Sequence, residues 1–153
     1  MAILEVFEKR PPDFHADLEV AACHVEVNGK LLLLERGPNE SEGKTWGVPA
    51  GKIELNEVPH HGAIRELLEE TGISIQLNDL EEVGKLYIRK HVAYVCHLFR
   101  VSMNRLPTIS LSDEHTDYKW VSAIEAETMP LIAGARDMLA LYYRFLASKK
   151  VRP

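Results

Sequence analysis

Cysteine is scarce in this chain, basic charge is in deficit, and apolar runs are short. Its two cysteines, Cys23 and Cys96, form no Cys-x-x-Cys pair and no Cys/His spacing that suits zinc. Both sit in apolar stretches and read as buried, reduced thiols. The net charge of −5, with histidines neutral, argues against broad binding to nucleic acid, which needs a basic surface. It does not exclude an anionic substrate, because one local cation or a bound metal reverses the field at a site. The four leucines at 31–34 fall far short of a membrane span. The N-terminus, MAILEVFEKR, lacks the apolar run of a signal peptide, since Glu5 interrupts it. The chain therefore reads as cytoplasmic.

What is present is ordinary for a globular domain, with 46% hydrophobic and 27% charged residues. Its length of 153 residues predicts one domain over 1–153, large enough to bury a core without staples. Residues 1–17 read as an N-terminal arm holding a short strand, broken by Pro11 and Pro12. That arm leaves room for a homodimer as well as a monomer. Strands are expected over 18–27 and 30–35, joined as a hairpin by Asn28-Gly29. Two more are expected over 81–88 and 91–102, with Arg89-Lys90 as their turn, and another over Tyr118-Lys119-Trp120-Val121-Ser122. Helices are expected over 59–71, from Pro59 to the stop at Gly72, over 123–127 behind a Ser122 cap, and over 133–148. Strands with interspersed helices predict an α/β (α+β) domain with a central mixed sheet.

The helix over 59–71 carries an anomaly. At about 100° per residue, Glu70 lies roughly 40° from Glu66, and Glu69 roughly 60° to its other side. Like charges at these spacings repel by a few tenths of a kcal/mol. Gly62 falls between Glu66 and Glu69 and costs about 1 kcal/mol relative to alanine. The adjoining arc, Ala63, Ile64, Leu67 and Leu68, is apolar and is expected to face the core. Local penalties of this kind gather at functional sites. Three carboxylates suit Mg²⁺, a hard cation held by oxygen ligands and substrate phosphates. The missing side chain at 62 reads either as room for a metal–phosphate group or as a packing glycine.

The wider spacing carries a resemblance. Gly51, Glu57, then Arg65-Glu66-Leu67, Glu69-Glu70 and Gly72-Ile73 match the Nudix box at every specified position, and the stretch 51–73 is identified as that loop–helix–loop. The resemblance implies an α/β/α sandwich and a hydrolase that cleaves a nucleoside diphosphate linked to another group. It implies that Glu66, Glu69 and Glu70 hold Mg²⁺, for which Mn²⁺ often substitutes. Ala50, before the box, would add a backbone carbonyl. Arg65 would brace the glutamates and pair with Glu57, and Arg65–Glu69 is also a natural helical pair. Glu114 in LSDEHTD is the better of two acidic candidates for a base, ahead of Asp113. His60 and His61 read as first-turn residues, Trp46 and Trp120 as packing with base stacking by one of them the alternative, and Arg36 as a surface arginine with a phosphate contact the alternative.

The box fixes the chemistry and not the leaving group. Resemblance within the family offers weak cues. A proline about fifteen residues past the box would favour ADP-ribose, and Ile88 stands near there; Tyr87 and Tyr94 bracket a zone linked to dinucleoside polyphosphates. The compact length favours a nucleoside triphosphate, cleaved to the monophosphate and pyrophosphate. The alternatives are ADP-ribose, a nucleotide sugar or a dinucleoside polyphosphate; an RNA 5′ end, for which Lys85–Lys90 is the candidate basic patch; and a non-catalytic nucleotide-binding module.

Overall fold

The structure is a computed structural model and describes residues 2–151, the side chain of Val151 excepted. Among these residues the elements run β1 Glu5–Phe7, β2 Leu18–Val27, β3 Lys30–Arg36, β4 Trp46–Gly47, β5 Ala50–Lys52, α1 Pro59–Thr71, β6 Glu81–Arg89, β7 Ala93–Met103, β8 His115–Val121, α2 Ala123–Glu127 and α3 Ala135–Val151. One 3-10 turn, Leu77–Asp79, precedes β6. The strands form one mixed sheet in the order β1-β6-β7-β2-β3-β4, with β5 pairing β2 and β8 pairing β3.

Asn28 and Gly29 both take positive φ, 51° and 79°, which is the turn a two-residue hairpin requires. The expected hairpin forms but splays after two register pairs, Glu26↔Leu31 and Val27↔Lys30. Below them β3 turns to β8, while β2 runs parallel to β7 from Leu18↔Tyr94 to Val27↔Met103. A central strand pairs on both sides, and here different segments of one hairpin find different neighbours. The chain reversal after β6 falls at 90–92 rather than at Arg89-Lys90, because Arg89 stays in the ladder opposite Glu5 and Ala93. β6 is therefore covered by β1 and is not an edge. β8 starts at His115, three residues before the expected strand.

Helices cover both faces. Cys23, Val25, Leu32 and Leu34 pack with Leu67 of α1. Leu31 and Leu33 pack with Leu139 and Tyr142 of α3. The run of four leucines thus alternates between two cores, which is why a strand buried on both faces reads as continuously apolar. Cys23 and Cys96 are free and buried. They belong to clusters on opposite faces, and burial raises both thiols to about 12. The α/β/α sandwich expected from the sequence is the observed one. Among the described residues no helix is long and apolar enough to cross a membrane.

α1 has its expected bounds. Pro59 opens it, and Gly72, left-handed at φ 78°, closes it by donating its N–H to the Leu68 carbonyl. Its buried face differs from the expected arc. Ala63, Leu67 and Thr71 are buried with Gly62 and Glu70, whereas Leu68 is 50% exposed. The core-facing stripe is rotated toward Glu70, so that this carboxylate borders the core.

The far end of the sheet is tied to α3 by polar contacts. The Tyr142 hydroxyl donates to Glu26 Oε1 at 2.6 Å and accepts from Arg100 Nε at 3.2 Å. Arg100 Nη2 donates to Glu26 Oε2 at 3.1 Å. Replacing Tyr142 by Phe keeps the ring and removes one hydroxyl from this network, leaving buried partners unsatisfied. The expected cost is about 1–3 kcal/mol, read as a lower urea midpoint at unchanged slope; an unchanged midpoint would refute the role given to the hydroxyl.

Candidate active site

The repulsion expected along α1 is relieved by one side chain. Arg65 donates from Nε to Glu57 Oε2 at 2.8 Å and from Nη2 to Glu57 Oε1 at 2.9 Å, a bidentate pair. Its Nη1 reaches Glu66 Oε1 at 2.9 Å and Glu69 Oε2 at 3.2 Å. Its Nη2 also donates to the Lys52 carbonyl at 2.9 Å. One guanidinium thereby clamps the loop before α1, the end of β5 and two of the three helix carboxylates. The arginine holds Glu57 down to about 2, with help from the Glu54 N–H.

Two glycines admit this geometry. A Cβ on Gly51 would overlap the Glu66 carboxylate, so a larger residue in β5 would displace that group. A Cβ on Gly62 would meet Glu57 Oε1 and Ile53 Cγ1, each at 3.2 Å. Gly62 is buried and lets the loop close on the helix. Of the two readings offered by the sequence, the packing glycine is the one its neighbours support, and the space for a phosphate is not there.

Glu70 stands apart from the arginine. It is 6% exposed, and its Oε1 accepts the Ala50 N–H at 3.0 Å. Burial pushes its carboxyl up to about 8 against that hydrogen bond, and the nearby charges of Glu66 and Glu114 add to the rise. Burial also raises Glu66, with Arg65 opposing and Glu69 and Glu114 reinforcing. Glu114 is therefore close enough to act electrostatically on both carboxylates. Its backbone carbonyl holds the Gly37 N–H at 2.8 Å, which anchors the loop before β8 beside β3. Ala50 touches the site through its amide; the carbonyl expected of it makes no part of the Glu70 contact.

Ala50, whose amide holds Glu70, also lines a cavity of about 750 Å³ between the sheet and the first turns of α3. Val20, Leu33, Ile88, Met138 and Leu139 form apolar walls, while Ala50, Gly51 and Lys52 join it to the carboxylates. Arg36 and His115 also line it. Arg36, expected on the plain surface, instead donates to the Ser41 carbonyl at 2.7 Å and acts on Glu70 and His115 through its charge. Burial first and Arg36 second lower His115. Of the two bracketing tyrosines, Tyr94 lines the cavity, whereas Tyr87 packs edge-on against Phe14 at 5.5 Å.

Other candidates stay outside. Trp46 is buried beneath Lys119 and Trp120 packs on the α1-side core. His60 pairs with Glu82 at 3.0 Å and rests on Phe99. The Lys85–Lys90 patch is divided: Arg89 is committed to Glu5 at 3.0 Å and Asp13 at 3.7 Å, while Ile88 and Lys90 line the cavity. The cavity itself was not legible in the sequence. Its wall residues alternate along several strands, and only the helix crossing above them shows that the space between is unfilled.

The donor set fits a hard divalent cation. One oxygen each of Glu66, Glu69 and Glu70 is engaged by Arg65 or Ala50, which leaves the second oxygen of each. A buried carboxyl held protonated near neutrality is also a group that a cation would ionise. Among the described residues no three such side chains are yet drawn together at coordination spacing, so an ion would bind with rearrangement of these rotamers.

A mixed sheet between two helical layers carries a clamped carboxylate cluster beside a cavity with apolar walls. The NUDIX domain family model matches residues 17–142, and the chain belongs to that family. It is 39% identical over 135 residues to a MutT-like protein of Streptomyces ambofaciens, covering 88% of this chain and 82% of the relative. It is 29% identical over 136 residues to the CTP pyrophosphohydrolase of Escherichia coli (strain K12), covering 89% and 96%. The crystal structure of a MutT protein from Methanosarcina mazei Go1 superposes with a TM-score of 0.73 at 26% identity, over 87% of this chain and 95% of that one. Members of this family act on nucleotide phosphoanhydrides and generally use a divalent metal.

The raised carboxyl of Glu70 predicts the pH dependence of stability. A group raised from 4.5 to about 8 stabilises the native state fully below the unfolded value, and the benefit is lost as pH rises to the folded value. In a chelator, the melting temperature should fall between about pH 4.5 and 8, and Glu70→Gln should flatten that fall. Parallel profiles for the two proteins would refute the burial of an ionisable proton at this position.

Proposed function

We propose that this protein is an Mg²⁺-dependent pyrophosphohydrolase of nucleoside triphosphates, yielding the nucleoside monophosphate and pyrophosphate. The observation that carries the reading is the contact between the carboxylate cluster and the cavity at Ala50-Gly51-Lys52. A nucleoside in the cavity puts its phosphates across the cluster. A cavity of this volume suits one nucleotide. The MutT-like and CTP-hydrolysing relatives support a triphosphate over a larger diphosphate derivative.

Glu66, Glu69 and Glu70 would hold the ion, with the Ala50 carbonyl as a further oxygen ligand. A bound Mg²⁺ neutralises phosphate charge and lowers the pKa of water at the site. Arg65 and Glu57 are positioning residues that keep the carboxylates aimed while the guanidinium screens their repulsion. Arg36 and Lys52 at the mouth meet the phosphate charge. Glu114 takes the proton of the attacking water. The water oxygen bonds to phosphorus, and the bond from that phosphorus to the bridging oxygen breaks, with the pair leaving on pyrophosphate. The apolar walls hold the nucleoside and exclude bulk water from it.

A product-resolved hydrolysis panel with Mg²⁺ tests the reading, using nucleoside triphosphates, ADP-ribose, nucleotide sugars and dinucleoside polyphosphates. Triphosphates should lead. Faster turnover of any other class would move the substrate assignment there, and silence with retained nucleotide binding would favour a binding module. Glu69→Gln and Glu70→Gln should each lower kcat by about 10²-fold or more with the fold intact by circular dichroism. Near-normal rates in both would remove the ligand assignment. Glu114→Gln should lower kcat by roughly 10²-fold and erase the acidic limb of its pH profile; an unchanged profile would take Glu114 out of the reaction.

A further inference from the structure

Of the charged residues that line the cavity, Arg36, Lys52 and Lys90 are cations and Glu42 is the one carboxylate among the described residues. A negative charge works against an anionic ligand there, so Glu42 needs another task. It is exposed, and its Oε1 accepts the Ala133 N–H at 2.8 Å. That bond fixes the carboxylate against the backbone just before α3, and Oε2 takes no part in it. Its backbone is left-handed at φ 52°, as is that of Lys44 at 67°, a conformation that side chains disfavour and that gathers at ligand sites. Tyr94 ends at the same place. Its hydroxyl oxygen lies 3.9 Å from where a Cβ on Gly134 would stand, and Gly134 adjoins Ala133. The same point is 3.3 Å from Cδ1 of Ile88, a cavity wall. Tyr94 is half-buried and lines the cavity itself. A carboxylate and a hydroxyl thus meet at one stretch of the cavity lining, and the hydrolytic site uses neither.

We propose that Glu42 Oε2 and the Tyr94 hydroxyl together hold the 2′,3′-diol of a ribose, so that the site prefers ribonucleotides to deoxyribonucleotides. This rests on the reading of the cavity as a nucleoside pocket. Strand register sets the place of the sugar. Lys52 stands opposite Val20 and Tyr94 opposite Leu18. Val20 and Leu18 are two residues apart on β2 and so share a face. With the phosphates at Lys52 and the base against the apolar walls, the sugar falls beside Tyr94. A carboxylate only accepts, and a sugar hydroxyl donates to it; the tyrosine hydroxyl both donates and accepts, and so serves the second hydroxyl of the pair. Burial first, with Cys96 and Glu42 adding, pushes Tyr94 up to about 12, so it keeps its proton at neutral pH. A deoxyribose offers one hydroxyl to the two groups, and a site built to bond a hydroxyl discriminates against the analogue that lacks it.

Matched sugars test this. Calorimetry with Mg²⁺ on the intact protein would compare cytidine with 2′-deoxycytidine monophosphate, and adenosine with 2′-deoxyadenosine monophosphate. The wild type should bind the ribose member of at least one pair about tenfold more tightly, or better. Tyr94→Phe and Glu42→Ala should each lower that ratio by weakening the ribose member. Glu42→Gln keeps an oxygen for the Ala133 N–H and removes the charge, and it should lower the ratio in part. If Glu42 served only to tie its loop to Ala133, Glu42→Ala would weaken both sugars alike and Glu42→Gln would change nothing. Equal binding within both pairs by the wild type overturns the proposal, as does a ratio unchanged in Tyr94→Phe or in Glu42→Gln. If Glu42→Ala does not fold, the other two variants decide. No binding of any of the four overturns it together with the reading of the cavity. Because monophosphate binding needs no turnover, the remaining failures separate. Sugar selectivity without hydrolysis would sink the enzymatic reading alone, and hydrolysis without sugar selectivity would sink only the roles of Glu42 and Tyr94.

Discussion

The guanidinium of Arg65 joins three pieces of chain that otherwise have no reason to meet. Glu57 comes from the loop, Lys52 from the end of β5, and Glu66 and Glu69 from the helix itself. A helix with three clustered carboxylates is unfavourable in isolation. With one planar cation set among them, the same carboxylates become a means of closing a loop. Both glycines of the cluster serve that closure, since Gly51 yields to Glu66 and Gly62 yields to Glu57. The arginine aims two of the three helix carboxylates, Glu66 and Glu69, while Glu70 is held by the Ala50 amide.

The sheet divides labour between its faces. On the α1 side, apolar contacts around Leu67 are continuous and fix the height of the helix. Toward the first turns of α3, the contacts part and leave the cavity. Glu70 sits where the two regimes meet. It is buried beside the core that supports α1, and its hydrogen bond to Ala50 ties it to the cavity lining. Its raised proton affinity follows from that position and not from its neighbours alone.

Much of this was legible in the chain. Pro59 and Gly72 bound α1 correctly because both act through backbone geometry, which is local. The carboxylate cluster was legible because the box is a fixed spacing within one loop and one helix. Other features were not. The Asn28-Gly29 hairpin was foreseen, but not that β2 and β3 part after two pairs, because that depends on β7 and β8 arriving from far along the chain. Leu68 was placed in the core by periodicity and is exposed, because packing against the sheet rotated the buried stripe. Arg36 looked like a surface residue until β8 brought His115 beside it.

The parallel ladder between β2 and β7 has a kinetic side. Its first rung joins Leu18 to Tyr94, so closing it encircles the hairpin, the box and β6. Contacts so distant in sequence carry a large loop-closure cost and form slowly. Local structure, such as α1 and the turn at Asn28-Gly29, has time to appear before that ring closes. The cavity and the carboxylates acquire their mutual position only when it does. The cavity and the carboxylate cluster are thus expected to come together late in folding, and a chain arrested short of this step would hold its helix and its box without the cavity beside them.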